Sequence, residues 1–535
     1  MMYFLSYDVG TTGIKTCLYQ WDEGIKMIAG SSYGYGLYTL PNGGAEQDPD
    51  EWWKAMTEST KALLRKTGVD PKEISGISFC SQMQGLVLVD ENGYALRPAM
   101  SYMDQRATSQ IEKGIQTGLK VAGMNAYKLL RSLSLTGAVS GSVKDPQWKY
   151  LWVKDNEPEV YSKIYKWLDV KDYLIMRMTG RATMTRDSAF ATMLYCTKPG
   201  KEGWSSELCR MYGIDEKHLP EIINSTDQVG PLRQEQAGEL GLAAGTPVFG
   251  GGGDASLIGV GTGASGLGKT HMYAGTSGWV GTVCDRQVVD TGAMIAAIVG
   301  ASRNHFNYFA EMETAGKSLE WVKDHLALDE IGIYLEKQDV CSGSPEDAEK
   351  VYSSLYDYMS EVIGSAAPGA GGVIFTPWLH GNRCPFEDPD SKGIFFGITL
   401  DTGKTEMLRA VTEGICYHLR WMLECQEKKV ETSQIIRFCG GGALSDVTSQ
   451  ILADITGRTV EVCDEPQNVG SMGAAILCAV GMGLIGSIEE ADGMIPASRT
   501  FIPNASLKPV YDRNFEVFKR LYKSNKQNFA LMREK

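Results

Sequence analysis

Asp8-Val9-Gly10-Thr11-Thr12-Gly13-Ile14-Lys15-Thr16 places two glycines around two threonines, between the apolar run ending at Tyr7 and Cys17-Leu18-Tyr19. The pattern predicts strand, tight turn, strand. About half a chain later, Tyr273-Ala274-Gly275-Thr276-Ser277-Gly278-Trp279-Val280-Gly281-Thr282-Val283 overlays it without a gap, Gly275 on Gly10 and Gly278 on Gly13. Glycine lets a backbone approach an anion closely, and hydroxyls with successive N–H groups supply donors without bulk. Either copy alone reads equally well as an ordinary glycine turn. The matched pair points to a polyphosphate held from two sides.

Working outward, Asp48-Pro49-Asp50-Glu51 reads as an N-cap, a proline in the first turn and an acidic start, followed by apolar spacing at Trp52, Trp53, Met56, Leu63 and Leu64. Segments 74–79 and 86–89 read as strands. A hairpin, a helix and further strands, repeated half a chain later, predict two similar mixed-sheet domains facing a cleft. The length of 535 residues is that of two large domains, or of three. With 65 acidic against 52 basic residues, a net charge of -13 and no Lys/Arg-rich run, nucleic acid is excluded as a partner. Twelve cysteines show no C-x-x-C pair or metal-ligand spacing. No apolar run is long enough to span a bilayer, so no membrane partner and a cytoplasmic location are expected.

Gly263-Ala264-Ser265-Gly266-Leu267-Gly268-Lys269-Thr270 satisfies G-x-x-x-x-G-K-[ST], and Gly261, Gly263 and Gly266 satisfy G-x-G-x-x-G. Both motifs need a helix immediately after them. His271 to Ala274 is strand-like and runs into the second hairpin, so the segment reads as a glycine-rich connection on which two domains hinge.

Pro247-Val248-Phe249-Gly250-Gly251-Gly252-Gly253-Asp254 is an apolar strand ending in four glycines and one carboxylate. Glycines clear side chains from around the acid, leaving room for a substrate hydroxyl to reach Asp254. Phosphoryl transfer asks the protein for positioning, charge stabilisation and a base for the alcohol proton. The alternative is that Asp254 simply caps the helix starting at Ala255.

These residues, with Glu46-Gln47-Asp48-Pro49, Ser81-Gln82-Met83-Gln84-Gly85, Gly440-Gly441-Gly442-Ala443, Pro146-Gln147-Trp148-Lys149-Tyr150-Leu151-Trp152 and Gly393-Ile394-Phe395-Phe396-Gly397-Ile398, occur in an order that resembles the FGGY carbohydrate kinases. Within that family the chain is most similar to the xylulokinase branch. The resemblance implies an α/β fold of two actin-, Hsp70- and hexokinase-like (RNase H-like) domains, 1–258 and 259–535, closing on ATP and a sugar. It implies Asp254 as base, Asp8 placing Mg²⁺ through water, and Gly10, Thr11, Thr12, Gly275, Thr276 and Ser277 on phosphates. Gly441, Gly442, Ala443 and Asp446 would lie against adenosine, and Met83, Gln84, Tyr102, Asp104 and Asp254 would contact sugar. Gly470-Ser471-Met472-Gly473-Ala474-Ala475 reads as a close-packed helix face beneath the nucleotide rather than a ligand site.

The chain departs from that branch at three sugar-side positions: Gln84 replaces a histidine, Tyr102 a tryptophan and Ala255 an amide. Such changes can redirect specificity. The expected function is transfer of the γ-phosphate of ATP to a hydroxyl of a ketopentose such as xylulose. A ribulose, gluconate, glycerol or erythritol type of kinase, an actin- or Hsp70-like ATPase, and a lapsed sugar sensor are the alternatives. Oligomeric state is left open, a homodimer being one option, as is the role of the acidic stretch around 326–364.

Overall fold

A computed structural model describes residues 2–325 and 359–533; the acidic stretch up to residue 358 lies outside the described residues. The first hairpin consists of β1 (Met2–Val9) and β2 (Gly13–Trp21), antiparallel in the register Val9–Ile14, and β3 (Ile25–Gly34) pairs antiparallel with β2. Helix α1 (Pro49–Thr67) begins where Asp48 accepts a hydrogen bond from the Asp50 N–H at 2.9 Å, and ends at Gly68 in the left-handed region, φ 67°. Its Trp52, Trp53, Met56 and Leu63 are buried. The sheet continues with β4 (Ile74–Ser81), parallel to β1, then β5 (Gln228–Pro231) and β6 (Pro247–Phe249), with β7 (Gly252–Gly253) also alongside β4. The order across it is β5-β6-β4-β1-β2-β3.

Helix α2 (Asp254–Gly261) leads to the second sheet. Its strands are β8 (Thr270–Ala274), β9 (Gly278–Cys284), β10 (Val289–Asp290), β11 (Ile295–Val299), β12 (Phe306–Met312), β13 (Ile435–Cys439), β14 (Thr459–Cys463) and β15 (Ala497–Phe501), in the order β10-β11-β12-β9-β8-β13-β14-β15. The path β12-β9-β8-β13-β14-β15 repeats β3-β2-β1-β4-β6-β5 strand for strand: two antiparallel pairs, two parallel pairs, one antiparallel pair. Both hairpins leave a three-residue turn, Gly10–Thr12 and Gly275–Ser277, so the repeat read in the sequence is a repeat of topology.

Helices α3 (Asp446–Thr456) and α4 (Val469–Gly481) follow β13 and β14. Helix α4 packs against β1 and β4 of the first sheet and against α2. The two helices meet through glycines: a Cβ on Gly261 would lie 1.8 Å from the Val469 carbonyl oxygen, and one on Gly473 would lie 2.4 Å from that of Leu257. A shared apolar cluster containing Leu257, Val260, Ala474, Ala475 and Cys478 fills the junction.

The G-x-x-x-x-G-K-[ST] segment runs from α2 into β8 with no helix after it. It is pinned rather than free. The Ser265 N–H and Oγ donate to Asp492 Oδ1 at 2.9 and 2.6 Å, and the Gly266 N–H donates to Oδ2 at 2.9 Å. Within the segment that reads as a hinge, the N–H groups of Ser265 and Gly266 are thus occupied by a carboxylate of the chain itself.

Candidate active site

Strand register builds the floor of the cleft. Asp8 stands beside Cys80, and Cys80 beside Gly252, while Ser81 stands beside Gly253. Two strand spacings separate the Asp8 and Gly252 backbones, about 10 Å. Asp254 follows as the first residue of α2, where the Ala255 N–H donates to its Oδ1 at 2.7 Å. Burial pushes the Asp254 carboxyl up to about 7; the Ala255 N–H acts against this, and the negative charges of Asp8, Glu311 and Asp169 add to it. Burial also raises Asp8, with Lys15 and Cys80 acting the other way. Gly470, at the start of α4, admits both groups: a Cβ there would lie 3.3 Å from Asp8 Oδ2 and 2.9 Å from Cys80 Sγ.

The glycines before Asp254 serve packing. Gly251, at φ 69°, leaves no room for a Cβ, which would sit 2.4 Å from the Phe79 carbonyl oxygen; on Gly253 it would sit 2.2 Å from Met83 Sδ. Packing therefore also demands these glycines, which draw Met83 against the strand that leads to Asp254. The Gly253 N–H donates to buried Asp187 Oδ2 at 2.8 Å. Beneath it, Thr185 Oγ1 donates to Asp187 at 2.5 Å, and Lys171 Nζ donates to Thr185 at 2.7 Å and pairs with Asp172 at 2.5 Å.

In the Met83-Gln84 loop, Gln84 is held in the left-handed region at φ 63°. The N–H groups of Gln84 and Gly85 donate to Asp169 at 3.2 and 2.9 Å. Buried Lys149 donates to the Gln84 carbonyl at 2.6 Å and to that of Ser101 at 2.9 Å, tying 83–85 to the Tyr102 segment. Burial lowers this ammonium to about 8, against the favourable charges of Asp104, Asp169 and Asp145. Tyr102 reaches the first hairpin turn, its hydroxyl 3.3 Å from Thr11 Oγ1. Asp104 does not line the cleft. It is 0% exposed, with one oxygen accepting from the Ala45 N–H at 2.9 Å and both bonded to Arg106, so it supports Tyr102 from below. Sequence reasoning passed over Lys149, Asp169 and Asp187. The available signal was a lysine set among Trp148, Tyr150 and Trp152.

At the two hairpins, Thr12 and Thr276 are exposed at the tips of the turns. The second turn is braced by residues 315–317: Ala315 and Lys317 N–H groups donate to the Thr276 carbonyl at 3.0 and 3.2 Å, and Gly316 to that of Gly275 at 2.6 Å. Gly440, at φ 87°, lies against the end of β8, where a Cβ would be 2.6 Å from the Ala274 carbonyl oxygen. Gly441 is different: it is exposed and a Cβ would meet nothing within 4 Å. Ala443 is fully buried, and Asp446, exposed at the start of α3, pairs with Arg499 at 2.5 Å. Packing does not demand glycine at 441, so on the expectation that adenosine lies against it, Gly441→Val should raise the KM for ATP about tenfold or more while leaving the melting temperature unchanged, read by initial rates and thermal denaturation.

The FGGY family of carbohydrate kinases is matched by its N-terminal domain over residues 3–261 and by its C-terminal domain over residues 271–482. The chain belongs to this family. It is a sugar kinase of two-domain α/β fold that uses ATP and a small-molecule sugar as its substrates. The kinase is 30% identical to the xylulose kinase of Bacillus subtilis, over 99% of each chain. Among solved structures, it is similar to a ligand-bound xylulose kinase from Lactobacillus acidophilus, with a TM-score of 0.83 and 26% identity over 100% of each chain. Gluconate kinase from the same organism has the same TM-score, 0.83, and the same 26% identity, over 99% of this chain and 100% of that one. Among the described residues, no helix of the kinase is long and apolar enough to cross a membrane.

Proposed function

We propose that the kinase phosphorylates a ketopentose such as xylulose, with Asp254 as the base. The observation that carries this reading is the placement of Asp254: a carboxyl pushed up to about 7, at the start of a helix, beside the sugar-contact loop and one strand removed from Asp8. A base titrating near neutral pH combines a usable deprotonated fraction with a real driving force for taking a proton. As Asp254 takes the hydroxyl proton, the sugar oxygen forms a bond to the γ-phosphorus and the bond to the β–γ bridging oxygen breaks, releasing ADP.

In this reading Gly10, Thr11, Thr12, Gly275, Thr276 and Ser277 hold the phosphates from opposite sides. Gly441 and Gly442 receive the adenosine, with Ala443 and Asp446 shaping the turn behind them. Met83, Gln84 and Tyr102 orient the sugar. Mg²⁺ would neutralise phosphate charge, held through water by Asp8. Among the described residues no cluster of three or more ligating side chains could hold an ion, which suits a cation that keeps most of its water and takes its remaining ligands from phosphates. We place the domain boundary at 258/259, and a reducing cytoplasmic setting accords with the free, buried cysteines of the described residues.

The charges around Asp254 favour a neutral sugar. Asp8, Glu311 and Asp169 surround it, and the nearby Arg383 is paired with both Glu311 and Glu313 at 2.6 and 2.5 Å. A sugar acid would bring its carboxylate into this field. The equal likeness to a gluconate kinase makes a sugar acid the second reading. ADP release with xylulose, ribulose, gluconate, glycerol and erythritol tests both: the expected result is the highest kcat/KM with a ketopentose. A preference for gluconate would sink the neutral-sugar reading, and equal ADP release without any acceptor would sink transfer altogether.

A further inference from the structure

Gln47 and Gln82 form a chain of amides between the two sides of the cleft floor. Gln47 Nε2 donates to the Thr11 carbonyl at 2.6 Å, and Gln82 Nε2 donates to Gln47 Oε1 at 2.9 Å. Gln82 is anchored through its own N–H, which donates to the Val9 carbonyl at 2.9 Å, and it directly precedes Met83 and Gln84. Both side chains are buried, Gln47 at 1% and Gln82 at 5% exposure.

The direction of this chain follows from chemistry. A backbone carbonyl can only accept, so Gln47 must present its NH₂ to Thr11 and its oxygen to Gln82. Gln82 must then present its NH₂ to Gln47, which leaves Gln82 Oε1 as the terminal acceptor. That atom is buried and has no protein donor among the described residues. An unpaired buried acceptor is costly, so the chain is incomplete in the protein alone.

We propose that Gln47 and Gln82 are positioning residues that transmit sugar occupancy to the phosphate hairpin through Thr11. The missing donor arrives with a sugar hydroxyl at the Met83-Gln84 loop; satisfying Gln82 Oε1 orders the amides and, through them, the Thr11 turn. The proposal rests on reading Thr11 as a phosphate-side residue and 83–84 as sugar-side residues. Neither glutamine touches the reacting atoms.

The test is the dissociation constant of a non-hydrolysable ATP analogue with and without the preferred sugar, for wild type, Gln47→Ala, Gln47→Glu, Gln82→Ala and the double alanine variant. Thermal denaturation checks folding. Sugar should tighten nucleotide binding in wild type, and the ratio should fall about fivefold or more toward one in each variant. Gln47→Glu is decisive when read at a pH where the introduced carboxyl is ionised, because it then keeps size and shape but cannot donate to the Thr11 carbonyl. The double variant should lose no more coupling than either single one, as members of one chain do. If wild type transfers phosphate but Gln47→Glu retains wild-type coupling, or the single losses add, the relay is wrong while the kinase function stands. If wild type shows no sugar-dependent transfer, the proposed function and this inference fail together. A variant that unfolds is replaced in the comparison by Gln47→Met or Gln82→Met, which keep the length of the side chain, bring in no charge and cannot donate.

Discussion

Asp254→Asn should lower kcat about 10²- to 10⁴-fold, the usual contribution of a positioned base, with a much smaller change in the KM for either substrate. The amide keeps the shape of the side chain at the start of α2 but cannot take the hydroxyl proton. In wild type, kcat/KM should rise with pH and level off above about 7, where the Asp254 carboxyl becomes charged. Steady-state rates over a pH series read both effects. A variant retaining a tenth or more of the wild-type kcat would remove Asp254 from the base role.

The same shift makes a stability prediction of opposite sign. A carboxyl whose folded pKa is raised from 3.8 to about 7 holds its proton longer in the folded protein than in the unfolded one. Stability therefore falls as pH rises from about 4 to about 7, and the cost is complete above that. Asp254→Asn removes it. The variant should match wild type near pH 4 and melt at a higher temperature at pH 8, the difference being up to about 4 kcal/mol from a shift of roughly three pKa units. A pH 8 melting temperature at or below that of wild type would show that the charge carries no such cost.

Among the described glycines, Gly261→Ala should be the most damaging addition of a single methyl group. Its Cβ would lie 1.8 Å from the Val469 carbonyl oxygen, 2.7 Å from that carbonyl carbon and 2.8 Å from the Gly473 nitrogen, all backbone atoms that cannot rotate aside. Overpacking of this kind costs about 3 kcal/mol or more, several degrees of melting temperature. The effect also reaches the chemistry. Gly261 ends the helix that Asp254 begins, and a displacement of about 1 Å at a reacting group can cost 10²-fold in rate. Gly473→Ala on the facing helix should behave similarly, and the two together should cost less than their sum, because one helix separation relieves both clashes. Melting temperatures and kcat within error of wild type would mean that α2 and α4 are not in this contact.

How much of this was legible beforehand depends on the range of the interaction involved. Hairpin turns, the Asp48-Pro49 helix start and the Asp254 helix start are written in neighbouring residues, and their spacing along the chain exposed the repeat before any strand was paired. Turn chemistry and capping act over a few positions, so a linear reading can weigh them. The absence of a helix after Gly268-Lys269-Thr270 was readable for the same reason.

Other features turn on partners far away in the chain. Four glycines before an acid suggested room for a ligand; only the tertiary structure showed Phe79 and Met83 packed against two of them. Asp104 looked like a ligand contact until Ala45 and Arg106 were found on its oxygens. A glycine-rich connection looked free to bend, yet Asp492 holds it from 227 residues away. By itself, then, the sequence determined the two hairpins, their repetition and the acid at the head of a helix. Tertiary structure alone decided which polar groups face the cleft and which are consumed in holding it, because a buried donor or acceptor takes whatever partner the fold brings, and sequence distance does not record that choice.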